Sequence, residues 1–372
     1  MKALFLIFHG FIPSNGISKK IHYQVKALKE CGFDIGLCYY EVNTEGHRLW
    51  KVDDQVIADL GDGIVAKLKK RFDYSSIIDY VKSNHIDFIY MRSDHNANPF
   101  SINFIKAVKR FGTKIVMEIP TYPYDQEYVV WRMKMELFVD KLFRHQLAMA
   151  LDGIVTFSDA DFIFGKPTIK ISNGIDFDSI PLKEHLNDTS KELHLIGLAE
   201  IHFWHGFDRL VRGLAQYYQS NPTYKVYFHV VGYFYSKGGR EEFTRLIESY
   251  NLQSYVILYG ARQGKELDEL FDKADFAIGS LGRHRCGITS IKTLKNREYA
   301  ARGFSFIYSE SDSDFDNRPY VLKASADESP ININSIITFY KSCKVMPSDI
   351  RASIRNLSWT NQMQIVKDIV IR

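Results

Sequence analysis

LKNREYAARG, residues 294–303, lies between two strand-like apolar runs, FAIGSL at 276–281 and FSFIYS at 304–309. A strand, a loop, a short helix ended by Gly303 and a new strand make one βαβ step. In sheets built from such steps, the loop at a strand's carboxyl end and the helix N-terminus after it form the usual ligand site. On a helix, Lys295 and Glu298 are three residues apart and project from nearly the same side. A cation and a carboxylate aimed into one crevice suit a phosphate and a sugar diol.

The same rhythm runs outward in both directions. Strand-like runs at 3–8, 34–40, 86–91, 114–119, 153–158 and 168–172 alternate with helical patterns at 18–32, 74–84, 101–111 and about 129–150. Further strands are expected at 193–199, 225–232 and 255–260, with helices at 207–220, 240–250, 264–273 and 291–302. Continuous Val, Ile, Leu and Phe runs between amphipathic helices indicate parallel strands buried on both faces, hence α/β architecture with right-handed crossovers. The rhythm breaks at NGIDFDSIPLKEHLNDTSKE, 173–192, which reads as an interdomain linker. With 372 residues the chain exceeds one comfortable core. Two Rossmann-like domains facing across a cleft are predicted, at 1–172 and 173–349. A terminal helix at about 350–372 is expected to pack back on the first.

Bulk composition narrows the function classes. Hydrophobic content of 45% and charged content of 25% are ordinary for a soluble globular protein. A net charge of +4 is too mild to argue for nucleic acid, and no basic, aromatic-interleaved module is visible. No apolar run is long enough to span a bilayer. MKALFLIFHGF reads as a first strand and not a leader, because charges and a helix follow at once. Four cysteines without C-x-x-C spacing suggest reduced thiols in a cytosolic protein.

Several loops hold candidate chemistry. In HGFIPSNGISKK (9–20), Gly16 lets backbone amides approach an anion and Ser18 is a candidate N-cap. In FWHGFDRL (203–210), His205 and Gly206 stand at a strand's mouth, where a histidine can donate to a diphosphate. GRHRCGITS (282–290) supplies Arg283, His284 and Arg285, donors suited to pyrophosphate. EIPTYPYDQEY (118–128) offers tyrosines for sugar faces and, in Glu118 or Asp125, a carboxylate to help deprotonate an acceptor hydroxyl. No metal motif stands up; SDSDFD (311–316) reads as a solvated acidic turn. The basic segment AKLKKRF (66–72) and the helix VVWRMKMELFVDKLFRHQ (129–146), with Trp131, Met135, Phe138 and Phe143 among its cations, keep a membrane-surface reading open beside that of an ordinary packed helix.

Together these stretches resemble the retaining glycosyltransferases of family 4, which have the GT-B fold. NGIS (15–18) resembles that family's N-terminal glycine loop, ISNGID (171–176) its interdomain element and WHGFDRL (204–210) its KG-x-D-x-L element. GKELDELFDKADFAIGSL (264–281) through NREYAARG (296–303) resembles the donor half, with Glu298 and Gly303 matching the second Glu of E-x7-E and its trailing glycine. The resemblance implies that Glu298 holds the donor ribose, that Gly16 lies near the diphosphate and that neither metal nor other cofactor is needed. Departures are visible. The first Glu falls at Ser290, His205 replaces the phosphate-binding lysine, Glu200 stands where an arginine is usual, and TYPY (121–124) stands where a first-domain histidine is usual.

The expected activity is a hexosyl-type transfer, with retention, from a nucleoside-diphosphate sugar to a hydroxyl of a glycan or lipid-linked sugar in capsular, O-antigen or exopolysaccharide synthesis. Its expected setting is the cytoplasm, with a peripheral contact on the inner face of the cell membrane. Glu118, His205 and Lys295 are the expected catalytic residues. Gly16, His205, Gly206, Arg285, Lys295 and Glu298 are the expected donor-binding set. A nucleotide-sugar epimerase and a non-catalytic partner subunit of the same fold are the alternatives, the latter motivated by Glu200 and Ser290.

Overall fold

Uninterrupted apolar runs become strands covered on both faces: Leu4, Phe5 and Leu6 in the first of them are wholly buried. The computed structural model describes residues 1–11, 16–125, 128 and 131–371, without the side chain of Arg132. Asn15 of the first glycine loop and Glu127 of the tyrosine-rich loop lie outside the described residues. The chain divides into two compact units, residues 1–172 with 359–372, and residues 173–358.

The first unit contains β1 (Lys2–Leu6), α1 (Gly16–Glu30), β2 (Asp34–Val42), β3 (Arg48–Val52), β4 (Gln55–Asp59), α2 (Gly63–Phe72), α3 (Ser75–Ser83), β5 (Phe88–Arg92), α4 (Pro99–Lys109), β6 (Lys114–Ile119), α5 (Trp131–Ala150), β7 (Gly153–Thr156), β8 (Phe162–Ile163) and β9 (Lys166–Lys170). Its sheet runs β4-β3-β2-β1-β5-β6-β7-β9-β8. The six strands from β2 to β9 through β1 are mutually parallel, and β3, β4 and β8 add antiparallel edges. Between β2 and α3 the hydrophobic pattern predicts no element, yet a hairpin and α2 form there. The hairpin turns at Asp53 and Asp54, both at positive φ. Their side chains replace the usual glycine signal: Asp53 accepts the Leu37 N–H at 2.9 Å and Asp54 the Tyr39 hydroxyl at 2.6 Å. Likewise α1 starts at Gly16, so Ser18 is a buried helical residue and not the cap.

The second unit contains β10 (Glu192–Leu198), α6 (Phe207–Tyr218), β11 (Lys225–Val231), α7 (Lys237–Ser249), β12 (Val256–Gly260), α8 (Lys265–Lys273), β13 (Phe276–Ile278), α9 (Leu294–Ala301), β14 (Phe306–Tyr308), β15 (Val321–Lys323), α10 (Ile333–Ser342) and α11 (Pro347–Ala352). All six strands are parallel, in the order β12-β11-β10-β13-β14-β15. Helices α6, α7 and α10 cover one face and α8, α9 and α11 the other. The segment 173–192, expected as a linker, is pinned to this unit. The Lys183 amide donates to the Arg302 carbonyl at 2.9 Å, and its ammonium donates to the carbonyls of Asp272, at 2.9 Å, and Ala274. The tail divides at Ser358. Helix α12 (Trp359–Val370) belongs to the first unit, where Trp359, Met363 and Val366 are buried and Gln362 accepts the Ser172 amide at 2.7 Å.

The structure corrects the reading of Glu118. Its carboxylate, near the end of β6, is fully enclosed. It meets Lys20 at 3.2 Å and Arg92 at 2.5 Å, and accepts from Gln24 at 2.6 Å and Tyr90 at 2.7 Å. Burial pushes the acid up, but Lys20, Arg92 and the two donors outweigh it and hold the group below the usual glutamate range. A carboxylate so committed has no lone pair or basicity to spare for an acceptor hydroxyl. Asp125 is similarly occupied, by Arg144 at 2.7 Å and Lys141 at 2.9 Å. Glu118 ties α1 to β5 and β6. Glu118→Ala should therefore destabilise the chain by about 3–5 kcal/mol, since it strands two buried cations. Denaturant unfolding measures this; an unchanged midpoint would return Glu118 to the list of candidate bases.

Candidate functional site

In the second unit the chain winds outward from β10 to β11 and β12, then returns to β13 on the other side of β10. The reversal leaves a crevice outside the carboxyl ends of β10 and β13, where open α/β sheets bind ligands. Two loops border it, 199–206 after β10 and 279–293 after β13. They are stitched together. The Leu281 amide donates to the His205 carbonyl at 2.9 Å. Gly206 sits at φ +64°, and a Cβ there would fall 2.6 Å from the Leu281 carbonyl carbon and 2.7 Å from the Gly282 nitrogen. Glycine is thus required twice, by conformation and by space.

Arg285 is the main stitch, and this corrects its expected role. Its Nε donates to Glu328 at 2.8 Å. One terminal nitrogen donates to the Phe203 carbonyl at 2.7 Å and to Asp208 at 2.8 Å, the other to Asp208 at 2.9 Å and Glu328 at 2.5 Å. A guanidinium has five N–H donors, and all five are engaged. Arg285 therefore fixes the shape of the crevice and has no donor left for a diphosphate.

The polar groups inside are His205, Arg283, Lys295 and Glu310. His205 is buried and accepts the His202 amide on Nδ1 at 3.0 Å, which leaves the ring proton on Nε2. Burial first, then Lys295, Arg283 and His202, drive it well below the usual histidine range, so it is a neutral donor. Trp204 stacks on His202 with centroids 4.0 Å apart, and the Arg283 guanidinium lies 5.7 Å from the Trp204 ring. Lys295, in the first turn of α9, places its ammonium in the interior with no hydrogen-bond partner among the described residues. Burial and, next, Arg283 push it down to about 7. Glu310, just past β14, is also buried, and among the described residues its carboxylate oxygens have no side-chain partner; burial pushes it up to about 7 against the pull of Arg283, its own backbone amide and Lys295. Buried charges without partners are costly and rare, and they mark where a ligand's own groups belong. Glu310 escaped the sequence reading because it adjoins an acidic run taken as solvated. The signal available was its place at a strand's carboxyl end.

That acidic run is not a solvated turn. Asp312 is fully buried and clasps the buried Arg297 guanidinium from two sides, one contact at 2.9 Å; Asp314 joins them and Asn296 donates to Asp312 at 3.2 Å. Asp316 takes the Tyr308 hydroxyl at 2.7 Å. These bonds lock α9 to the end of β14 and so hold Lys295 in place. Ser290, where the resemblance expects a carboxylate, pairs in parallel with Ser311, the residue after Glu310. Glu298, one turn beyond Lys295, is partly exposed and bound by Arg302 at 3.1 Å, itself held by Asp268 at 2.8 Å. Gly16 lies in the first unit at the start of α1; a Cβ there would meet nothing among the described residues.

Similarity to known structures extends over the whole chain. Sucrose-phosphate synthase from Thermosynechococcus elongatus aligns over 98% of this chain and 97% of its own, with 13% identity and a TM-score of 0.66. HepE of Anabaena, solved with UDP and glucose, aligns over all of both chains with 14% identity and a TM-score of 0.65. WaaG, a glycosyltransferase involved in lipopolysaccharide biosynthesis, covers 100% of this chain and 99% of its own at 12% identity and a TM-score of 0.61. The chain has the GT-B fold. No protein-family model and no curated protein matches the sequence. The predicted α/β class with two parallel-sheet domains is thus the observed one.

If the stitched loops shape the crevice, Gly206→Ala should cost about 1–3 kcal/mol through the left-handed backbone alone, with the clash against Leu281 added. Thermal unfolding would register this as a lowered midpoint; an unaltered one would mean that the two loops do not depend on each other.

Proposed function

We propose that this chain is a glycosyltransferase that moves a hexosyl group, with retention, from a nucleoside-diphosphate sugar to an acceptor hydroxyl. The observation that carries the reading is the pair of buried, unpartnered groups at the switch point, the Lys295 ammonium and the Glu310 carboxyl. A departing diphosphate needs positive charge and hydrogen-bond donors already in place. Lys295, Arg283 and the Nε2–H of His205 would supply them, standing in for the lysine and arginine missing at 205 and 200. Glu310 would receive hydroxyls of the transferred sugar in place of the carboxylate missing at Ser290. Glu298, steadied by Arg302, is assigned to the ribose. The reading requires no metal or other cofactor, since side-chain cations meet the diphosphate charge. HepE was solved with UDP-glucose as well as UDP, which makes UDP-linked sugars the first donors to try. The part of WaaG in lipopolysaccharide biosynthesis supports placing the acceptor in a surface polysaccharide, and we assign its assembly to the cytoplasmic side of a membrane.

One feature favours a second reading, a partner subunit of this fold without turnover. Glu200 places an acid on the crevice rim, 3.6 Å from the His202 ring. The two readings separate on one measurement: donor binding without transfer to any acceptor supports the partner subunit, whereas transfer with a retained anomeric configuration, read by NMR, supports the enzyme.

Thermal stabilisation by UDP-, GDP-, ADP- or CMP-linked sugars tests the donor site, because a ligand of the folded state alone raises its stability. The proposal predicts a shift with one of them and its loss in Lys295→Met. If none shifts the midpoint, the donor reading fails. Affinity for the sugar nucleotide should fall as pH rises through about 7, since above it free Lys295 loses its proton and Glu310 gains a negative charge. Lys295→Met should flatten that step. Glu310→Gln should weaken the sugar nucleotide more than the free nucleoside diphosphate; equal weakening of both would remove Glu310 from the sugar.

A further inference from the structure

We propose that the cleft between α6 and α7 of the second unit is a binding site for a saccharide chain, separate from the donor crevice. The cleft has a volume of about 640 Å³, within the roughly 300–1,000 Å³ usual for small-molecule sites. His205, Arg283, Lys295 and Glu310 do not line it. Its floor is apolar. Ile201, Phe207 and Phe243 are buried there, and the Phe234 and Phe243 rings lie 5.5 Å apart. Two further rings stand at its mouth instead of in the core: Phe203 is 59% exposed and Tyr235 69%.

The backbone holds the mouth in place. Ile201 and Phe234 form a parallel bridge beyond the ends of β10 and β11. The Ile201 amide donates to the Tyr233 carbonyl at 2.7 Å, and the Tyr235 amide to the Ile201 carbonyl at 3.1 Å. Tyr235 stacks on His202 with centroids 4.4 Å apart, and His202 stacks on Trp204 at 4.0 Å. A phenol backed by two rings and still largely exposed is a fixed platform, with a π face free for the C–H face of a sugar ring.

The rim selects the ligand. Asp208 and Glu242 line the cleft together with Arg212 and Arg245, so neither sign prevails among them. Asp208 is held by Arg212 at 3.1 Å as well as by Arg285. Arg245 donates to the Glu241 carbonyl of its own helix at 3.4 Å, and Glu242 forms no ion pair among the described residues. A phosphate-bearing ligand would meet two carboxylates. A purely aliphatic one would strip water from the charged rim and return no hydrogen bond. A neutral polyol does neither, because its hydroxyls donate to carboxylates and accept from guanidinium N–H groups while its C–H faces cover the rings. His202 and Phe203 belong both to this cleft and to the loop that borders the crevice, so a glycan seated here lies beside the site of the proposed transfer. Its binding does not rest on that activity and is measured without a sugar nucleotide.

The test is saturation-transfer NMR of the full chain with maltotetraose, cellotetraose, chitotetraose and mannotetraose, each at millimolar concentration. At least one of them should receive saturation. Phe203→Ser with Tyr235→Ser, and separately Glu242→Ala with Arg245→Ala, should each weaken that binding by about tenfold or more while leaving the unfolding midpoint unchanged. Lys295→Met should leave it intact. As a readout on the unaltered chain, octyl glucoside below its micelle concentration should receive saturation on its sugar protons. Binding to none of the tetrasaccharides overturns the proposal. So does binding that either double variant retains in full, binding that Lys295→Met abolishes, or an octyl glucoside signal confined to the alkyl chain.

Discussion

The grip of Asp312 on Arg297 governs the candidate site. Both side chains are wholly buried, so removing either leaves the other's charge inside the protein with fewer partners. The pair fastens α9 to the segment after β14, and the residues next to it on each side are the ones with chemistry. Lys295 precedes Arg297 by two positions and Glu310 precedes Asp312 by two. With their backbones held, the ammonium and the carboxyl feel each other's charge yet form no hydrogen bond with each other. They remain unpartnered, their proton affinities converging near neutrality, and the pocket holds unspent electrostatic free energy for a ligand to claim.

The first unit handles charge in the opposite way. Glu118 is surrounded by Lys20, Arg92, Gln24 and Tyr90, and every one of these contacts is closed. The contrast separates two uses of buried ionisable groups. Where all partners are present the cluster is a fastening between helix and sheet. Where partners are absent at the carboxyl edge of parallel strands, the cluster is a candidate receptor. Arg285 shows that position alone does not decide, for it stands in the right loop and yet has all five donors committed within the protein.

The fold was legible because parallel strands buried on both faces leave continuous apolar runs, and β1, β5, β6, β10 and β11 all carry them. The β3–β4 hairpin was not, since its turn uses two aspartates at positive φ in place of glycine and owes its stability to bonds with β2 that no local pattern reveals. Within the site, Lys295 and Gly206 followed from their places after strands. Arg285 and Glu118 were misjudged for one reason. A charged residue at a loop or strand end reads the same whether its partners are nearby in space or missing, and those partners, Glu328 for Arg285 and Lys20 for Glu118, lie 43 and 98 positions away. Glu310 was overlooked because its neighbours' carboxylates made it look like part of a wet turn, whereas Asp312 faces inward.

The division of the tail at Ser358 has a bearing on how the polypeptide acquires its shape. Ile175 and Ser358 lie side by side in a β-bridge, so the second unit begins and ends at one spot and is, in effect, inserted into the first. The first unit lacks α12 until the stretch that follows the second unit has emerged from the ribosome. The second unit is thus complete in the emerging chain before the first, although the first begins earlier. The inserted unit can finish while its host still waits, with the groove for Trp359 and Met363 open to solvent and to chaperones.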